Sequence, residues 1–256
     1  MNNELLVYEI LKDAAQKWPG RPAVYDDHGT MTFAELYAQT ETLRLNLIDL
    51  GVKAGMGIGV KARNGRNFIM GIFAGVGCGA AVMPMSHQLK KAEIEDIISE
   101  AQLHVLIDDM SGIAPVFGVD AVIDMNVESF SFSFTGAGRP GPYAPHVHMP
   151  AFIRFTSGTT GKSKGVIVSH QSVIERIEGA NKALCLGSED TVVWVLPMAY
   201  HFIVSVVLYV RFGAAIAVAK DFLAKSIIHI TNEHKGTLLY ASPIQIRLLA
   251  NDASAD

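Results

Sequence analysis

From Ile58 onward, short apolar runs of strand length alternate with stretches whose apolar residues recur at helical spacing: Ile58 to Lys61, Asn67 to Gly77, Ala80 to Met85, Leu89 to Ala101 and His104 to Ile107. Such a chain has few ways to close. Each helix must return the next strand alongside the last, which builds βαβ units and a mostly parallel sheet. Beyond residue 170 the alternation resumes, with predicted helices from Gln171 to about Leu184, Phe202 to Phe212, Leu223 to Glu233 and Pro243 to Ala250. Between them lie predicted strands Thr191 to Leu196, Ala214 to Ala219 and Thr237 to Tyr240. Ahead of the alternation, Leu5 to Lys17 reads as a helix, and Ala23 to Phe33 as a hairpin turning through Asp26-Asp27-His28-Gly29. Thr32 followed by Glu35 predicts a capping box that opens a helix ending before Gly51. Asp120 to Pro150 reads as the clearest linker: a strand at Ala121-Val122-Ile123, then the Ser/Phe run 129–134 and a Gly/Pro-rich stretch. With 256 residues, half of them hydrophobic, the chain can bury one large core or two intimate ones.

Charge and composition remove several functions. A net charge of -4 and the lack of a basic stripe argue against a nucleic-acid partner, which needs clustered Lys and Arg. Thr191 to Val210 contains no Asp, Glu, Lys or Arg, but Pro197, Tyr200 and His201 divide the run into a strand and a helix, so no membrane span is expected. Met1-Asn2-Asn3-Glu4 shows no secretory pattern. Cys78 and Cys185, far apart and in apolar surroundings, read as buried thiols of a cytoplasmic protein.

Phe155 to Val166 packs glycines, hydroxyls and two lysines into one loop, a composition suited to holding phosphate. Gly158, Gly161 and Gly165 let consecutive N–H groups approach an anion, and Thr156, Ser157, Thr159 and Thr160 add hydroxyl donors. Gly161-Lys162-Ser163 satisfies only the right half of the Walker A pattern, since position 156 is threonine. A Walker loop opens a helix, whereas Gly165 to His170 is β-branched and alternating, and Ala151 to Phe155 also reads as a strand. The loop is therefore expected to join two strands, with a helix starting near Gln171.

This segment resembles the T-S-G-T-T-G-x-P-K-G signature of the adenylate-forming superfamily, which includes acyl-CoA synthetases, luciferases and peptide-synthetase adenylation domains. Ser163 departs from it by replacing the usual proline and freeing that φ. The resemblance implies an α/β fold, an αβαβα sandwich of two mostly parallel sheets. Residues 52–184 would build the first sheet, with the phosphate loop at 156–165, and residues 1–51 plus 185–256 the second. It also implies that Thr156, Ser157, Gly158, Thr159, Thr160, Gly161 and Lys164 bind the phosphates of ATP, with Lys162 left in solvent. Leu196 to Phe202 resembles the family's proline-then-histidine segment, with one residue more than usual between Pro197 and His201. On that alignment Tyr200 and His201 line the substrate carboxylate pocket; a purely structural His201, bonded within the core, is the other reading.

Further groupings carry less. Gly71, Gly75, Gly77 and Gly79 lack the G-x-G-x-x-G spacing and suit close helix packing. His146 and His148 have no second ligand cluster nearby. Met56, Met70, Met83 and Met85 read as core filling, and Ser157 lacks a nucleophile elbow.

The expected function is ATP-dependent activation of a carboxylic acid as an acyl-adenylate, with Mg²⁺, followed by capture on coenzyme A or a carrier-protein thiol. The family's adenine, ribose, hinge and catalytic-lysine motifs belong beyond Asp256, so the chain reads as an N-terminal portion with weak or no adenylation alone. Catalytic residues are unassigned. Two alternatives stand: a non-catalytic acyl- or nucleotide-binding subunit that pairs with a C-terminal complementing polypeptide, and a P-loop phosphotransferase. The acid is expected to be at least partly hydrophobic, from the apolar stretch Val195 to Val207.

Overall fold

The computed structural model describes residues 6–112, 115–125, 129–156 and 164–252. Two sheets organise them. The seven-stranded sheet has the order β6-β7-β5-β3-β4-β8-β9, made of β3 (Gly57–Ala62), β4 (Ala81–Ser86), β5 (Val105–Asp108), β6 (Ala121–Asp124), β7 (Ser129–Phe134), β8 (Pro150–Thr156) and β9 (Lys164–Ser169). Its centre, β5-β3-β4-β8, is parallel, and antiparallel strands flank it on both sides. The five-stranded sheet has the order β12-β10-β11-β1-β2, from β1 (Pro22–Asp26), β2 (Gly29–Thr32), β10 (Thr191–Trp194), β11 (Ala215–Val218) and β12 (Leu238–Tyr240). All of its pairings are parallel except the β1–β2 hairpin.

Helices α1 (Val7–Lys17), α2 (Phe33–Asp49), α3 (Arg66–Gly77), α5 (His170–Leu184) and α7 (Val206–Phe212) lie between the sheets and share one large apolar core with both. Helix α4 (Lys91–Ala101) covers the outer face of the seven-stranded sheet, where Ile94 and Ile98 pack on Met83, Met85 and Leu106. Helices α8 (Ala224–Glu233) and α9 (Pro243–Ala250) lie against the five-stranded sheet on its other side. The result is the αβαβα sandwich expected from the sequence.

Local chemistry explains the elements. The capping box forms: Thr32 N donates to Glu35 Oε2 at 2.8 Å and Glu35 N to Thr32 Oγ1 at 3.3 Å, which fixes the start of α2. Helix α3 is buried on every side because it crosses the central layer. Gly71 and Gly75 allow that crossing; a Cβ there would lie 2.8 Å from Val60 and Val82 methyl carbons, so these glycines serve close packing.

Three expectations are corrected. The Ser/Phe run is strand β7, not linker: Phe130 and Phe132 alternate into the core, and the strand pairs with both β5 and β6. Period-two patterning outweighed the neighbouring Gly/Pro stretch. The helix expected from Phe202 to Phe212 starts only at Val206, as α7, and a separate short helix, α6 (Met198–His201), precedes it. Cys78 is buried, and burial pushes its thiol up to about 12, but Cys185 is exposed at the left-handed C-cap of α5. Among the described residues, no helix is long and apolar enough to cross a membrane.

Two buried polar contacts tie the frame together. Lys61 on β3 and Asp108 on β5 face each other in register, with Nζ 2.7 Å from Oδ2 and exposures of 0% and 1%. Burial raises the Asp108 pKa, and the Lys61 hydrogen bond opposes that rise without cancelling it. At the other end, Val7 N donates to His170 Nδ1 at 3.0 Å, joining α1 to α5. Burial lowers the His170 pKa to about 4.

Candidate functional site

The parallel strands of both sheets end at one cleft of about 560 Å³. Arg63 and Asn64 follow β3, His87 and Gln88 follow β4, Pro197 follows β10, and Lys220 follows β11. The carboxyl ends of parallel strands are where open α/β sheets bind ligands, since the chain leaves each strand there in a freely shaped loop. Charges of both signs border the space, with Asp26 and Asp27 from the β1–β2 turn opposite Arg63 and Lys220. His87 has its pKa lowered first by burial and then by the Arg63 charge, with Asp109 opposing.

The two strands that flank the signature segment, β8 and β9, belong to the seven-stranded sheet. Strand β8 runs parallel to β4 with Val82 opposite Phe152, which brings the backbone of Thr156 level with Ser86, the last residue of β4. Strand β9 returns antiparallel, and Thr156 pairs with Lys164. Helix α5 starts only at His170, so a strand follows the loop, as the sequence indicates, and the Walker arrangement with its helix is absent at this point. Ser157, Gly158, Thr159, Thr160 and Gly161 lie outside the described residues.

Tyr200 and His201 occupy the short helix α6 beyond β10. The Arg154 Nη2 group, two residues before Thr156 on β8, donates to the Tyr200 carbonyl at 2.9 Å, so β8 touches α6 directly. Tyr200 and Arg154 also line a pocket of about 110 Å³ with Met85 and Ala199. Tyr200 itself is 56% exposed. His201 points the other way, with edge contacts to Trp194 and Tyr240 and Nδ1 3.3 Å from the Tyr240 hydroxyl. Burial, helped by the Arg154 charge, lowers its pKa and favours the neutral ring.

Several residues that line this cleft escaped the sequence reading, Arg63, Asn64, His87 and Lys220 among them. Asn64 Nδ2 donates to the Leu196 carbonyl and its Oδ1 accepts from Met198 N, both at 2.8 Å, so one amide clips the β3–α3 loop to the entry of α6. It joins the two sheets at the cleft. Next to it, Arg66 makes a buried ion pair with Asp26 at 2.6 Å. Gly65 between them has φ +142, and a Cβ there would meet Asp26 Oδ2 at 3.1 Å. The available signal was the polar quartet Arg63-Asn64-Gly65-Arg66 between two fully buried elements. Asn64→Leu is expected to lose about 1–3 kcal/mol in urea unfolding, because the Leu196 carbonyl and Met198 amide are left without their partner. Hydrogen exchange at Met198 should accelerate together with it; unchanged exchange there would rule out the clip.

Among the described residues, no three or more His, Cys, Asp or Glu side chains converge as a metal site.

A sequence profile described as "AMP-binding enzyme" matches residues 11–256. Dapdiamide synthesis protein DdaD of Enterobacter agglomerans is 30% identical over 169 residues, covering 66% of this chain and 26% of its own length. Sulfoacetate–CoA ligase of Cupriavidus necator is 25% identical over 254 residues, covering 93% of this chain and 50% of its own. The N-terminal domain of FACL13 from Mycobacterium tuberculosis superposes with a TM-score of 0.78 at 18% identity, covering 98% of this chain and 66% of that one. The chain thus spans half or less of these two curated relatives, and the structural likeness extends to the fold.

Proposed function

This chain belongs to the AMP-binding enzyme family, and from that premise we propose that it forms the phosphate- and acid-binding part of an ATP-dependent ligase that activates a carboxylic acid. The observation that carries the proposal is the antiparallel β8–β9 pair flanking the signature segment, with Thr156 opposite Lys164 and Arg154 bonded to α6. In the proposed reaction a substrate carboxylate oxygen attacks the α-phosphorus of ATP, pyrophosphate leaves with the bonding electron pair, and an acyl-adenylate results. A thiol, from coenzyme A or a carrier protein, then attacks the acyl carbon, losing its proton and expelling AMP to give a thioester.

Thr156, Ser157, Thr159, Thr160 and the amides around Gly158 and Gly161 would hold the departing phosphates, with Lys164 supplying positive charge. Tyr200 and His201 would border the acid, the neutral His201 ring offering a hydrogen bond without a charge to repel or trap the carboxylate. Mg²⁺ enters as the cation that ATP carries. Residues 52–184 would form one subdomain and residues 1–51 with 185–256 the other, with the cleft between them. The Arg154 and Asn64 bonds both cross that boundary, from the seven-stranded sheet to the segment after β10. We further propose a cytoplasmic location and a partly hydrophobic acid.

Titration of the chain with a fluorescent ATP analogue tests the loop. Lys164→Ala is expected to weaken binding at least roughly ten-fold, the scale of one charge-assisted hydrogen bond in a partly shielded site. Equal affinity of the two proteins would remove the phosphate-binding role from this loop.

A further inference from the structure

Strands β4 and β8 part before they end. Among the described residues they pair in register only at Val82 and Phe152, although β4 runs on to Ser86 and β8 to Thr156. Pro84 accounts for the break, because it has no N–H to give to a ladder. The pocket of about 110 Å³ beside Tyr200 occupies the space that opens, with Met85 and Ser86 on one wall, Ile153 and Arg154 on the other, and Ala199 of α6 closing it. Small beside the 560 Å³ cleft, it suits one compact group and not a triphosphate.

Its chemistry is one-sided. Met85 and Ile153 belong to the apolar cluster under α4, and among the described residues that line the pocket Arg154 alone carries a charge. No carboxylate of the described residues pairs with Arg154; its hydrogen bond to the Tyr200 carbonyl uses Nη2 and leaves the other guanidinium N–H donors to a ligand. Ser86 is 6% exposed, and its Oγ accepts the Gln88 amide at 3.2 Å while keeping a proton to donate. A cation without a counter-charge, set against an apolar floor, selects a group that brings negative charge over a neutral one. We propose that this pocket is a subsite for a second anionic group on the acid, so that the substrate is a dicarboxylic acid whose reacting carboxylate lies on the His201 side of α6. Arg154 is the counter-charge and Ser86 a hydrogen-bond donor to the same group. The proposal rests on the ligase reading above and adds to it the class of acid.

Isothermal titration of the full chain with glutarate and adipate, and with the monomethyl ester of each, tests it. An ester keeps one carboxylate and the chain length but loses the second charge. At least one diacid should bind about ten-fold or more tightly than its ester, the scale of one charge-assisted contact in a partly shielded site. Arg154→Met should bring that ratio to within about two-fold, and Arg154→Lys, which restores a charge, should recover part of it. The ratio is the informative quantity, because a disturbed α6 weakens diacid and ester alike. Equal binding of diacid and ester by wild type, binding of neither, or a ratio that survives Arg154→Met overturns the proposal. A ratio that vanishes when a non-hydrolysable ATP analogue saturates the chain overturns it too, since Arg154 then serves the phosphates of the nucleotide. Titration with the fluorescent ATP analogue separates the two ideas. Analogue binding without a diacid preference sinks the subsite alone, and a diacid preference without analogue binding sinks the nucleotide role alone.

Discussion

Lys61→Met should destabilise the protein by about 3–5 kcal/mol, because it strands the Asp108 carboxylate in the middle of the seven-stranded sheet with no cation beside it. For a domain of this size, that corresponds to a fall in melting temperature on the order of 10 °C. The loss is not what the ion pair is worth. Burial already raises the Asp108 pKa against the pull of Lys61, so the pair has not recovered all the hydration it gave up. The double variant Lys61→Met, Asp108→Leu should therefore regain most of the stability that the single one loses. Urea unfolding of the three proteins at pH 7 decides the matter. A single variant within 1 kcal/mol of wild type would mean that the buried carboxylate finds another partner or water.

Acidification should remove about 3 kcal/mol through His170 alone. Its ring accepts the Val7 amide through Nδ1 and is held neutral by burial, which lowers its pKa from 6.5 to about 4. A base with a depressed pKa binds its proton in the unfolded chain first. Its contribution is complete above pH 6.5, declines as the pH falls from 6.5 to 4, and changes no further below. The size follows from about 1.4 kcal/mol per pH unit across that window. His170→Asn keeps an acceptor near the Val7 amide and cannot ionise in this range. Carboxylates titrate in both proteins, so the informative quantity is the difference between wild type and variant at pH 7 and pH 4. A difference that stays constant would show that His170 does not titrate with folding.

The elements that the sequence made legible are those governed by near neighbours. Thr32 and Glu35 are three residues apart and form the expected cap; Ala151 to Phe155 and the β-branched run from Gly165 to Ser169 form the expected pair of strands. Ser129 to Phe134 misled because Gly and Pro further along suggested a linker, while the strand's own two-residue period was the stronger signal. Contacts between distant residues were not legible at all. Asn64 reaches Leu196 and Met198, Arg66 reaches Asp26, and His201 meets Tyr240 only because strands adjacent in space are far apart in sequence. For the candidate site, motif resemblance located the two segments, and the Arg154 bond to Tyr200 brings them together. No local pattern announced that bond.

The β1–β2 hairpin has a consequence for biosynthesis. Its strands span Pro22–Thr32, yet the strand that β1 pairs with, β11, begins at Ala215. A ribosome adding 5–20 residues per second delivers that partner on the order of 10–40 s later. The strands from Gly57 to Ser169, which make up the whole of the other sheet, emerge during the wait. Nascent chains therefore carry the β1–β2 hairpin with the second edge of β1 unpaired until β11 emerges, and a synonymous-codon change that slows elongation before Ala215 lengthens the period in which that edge needs a chaperone's shelter.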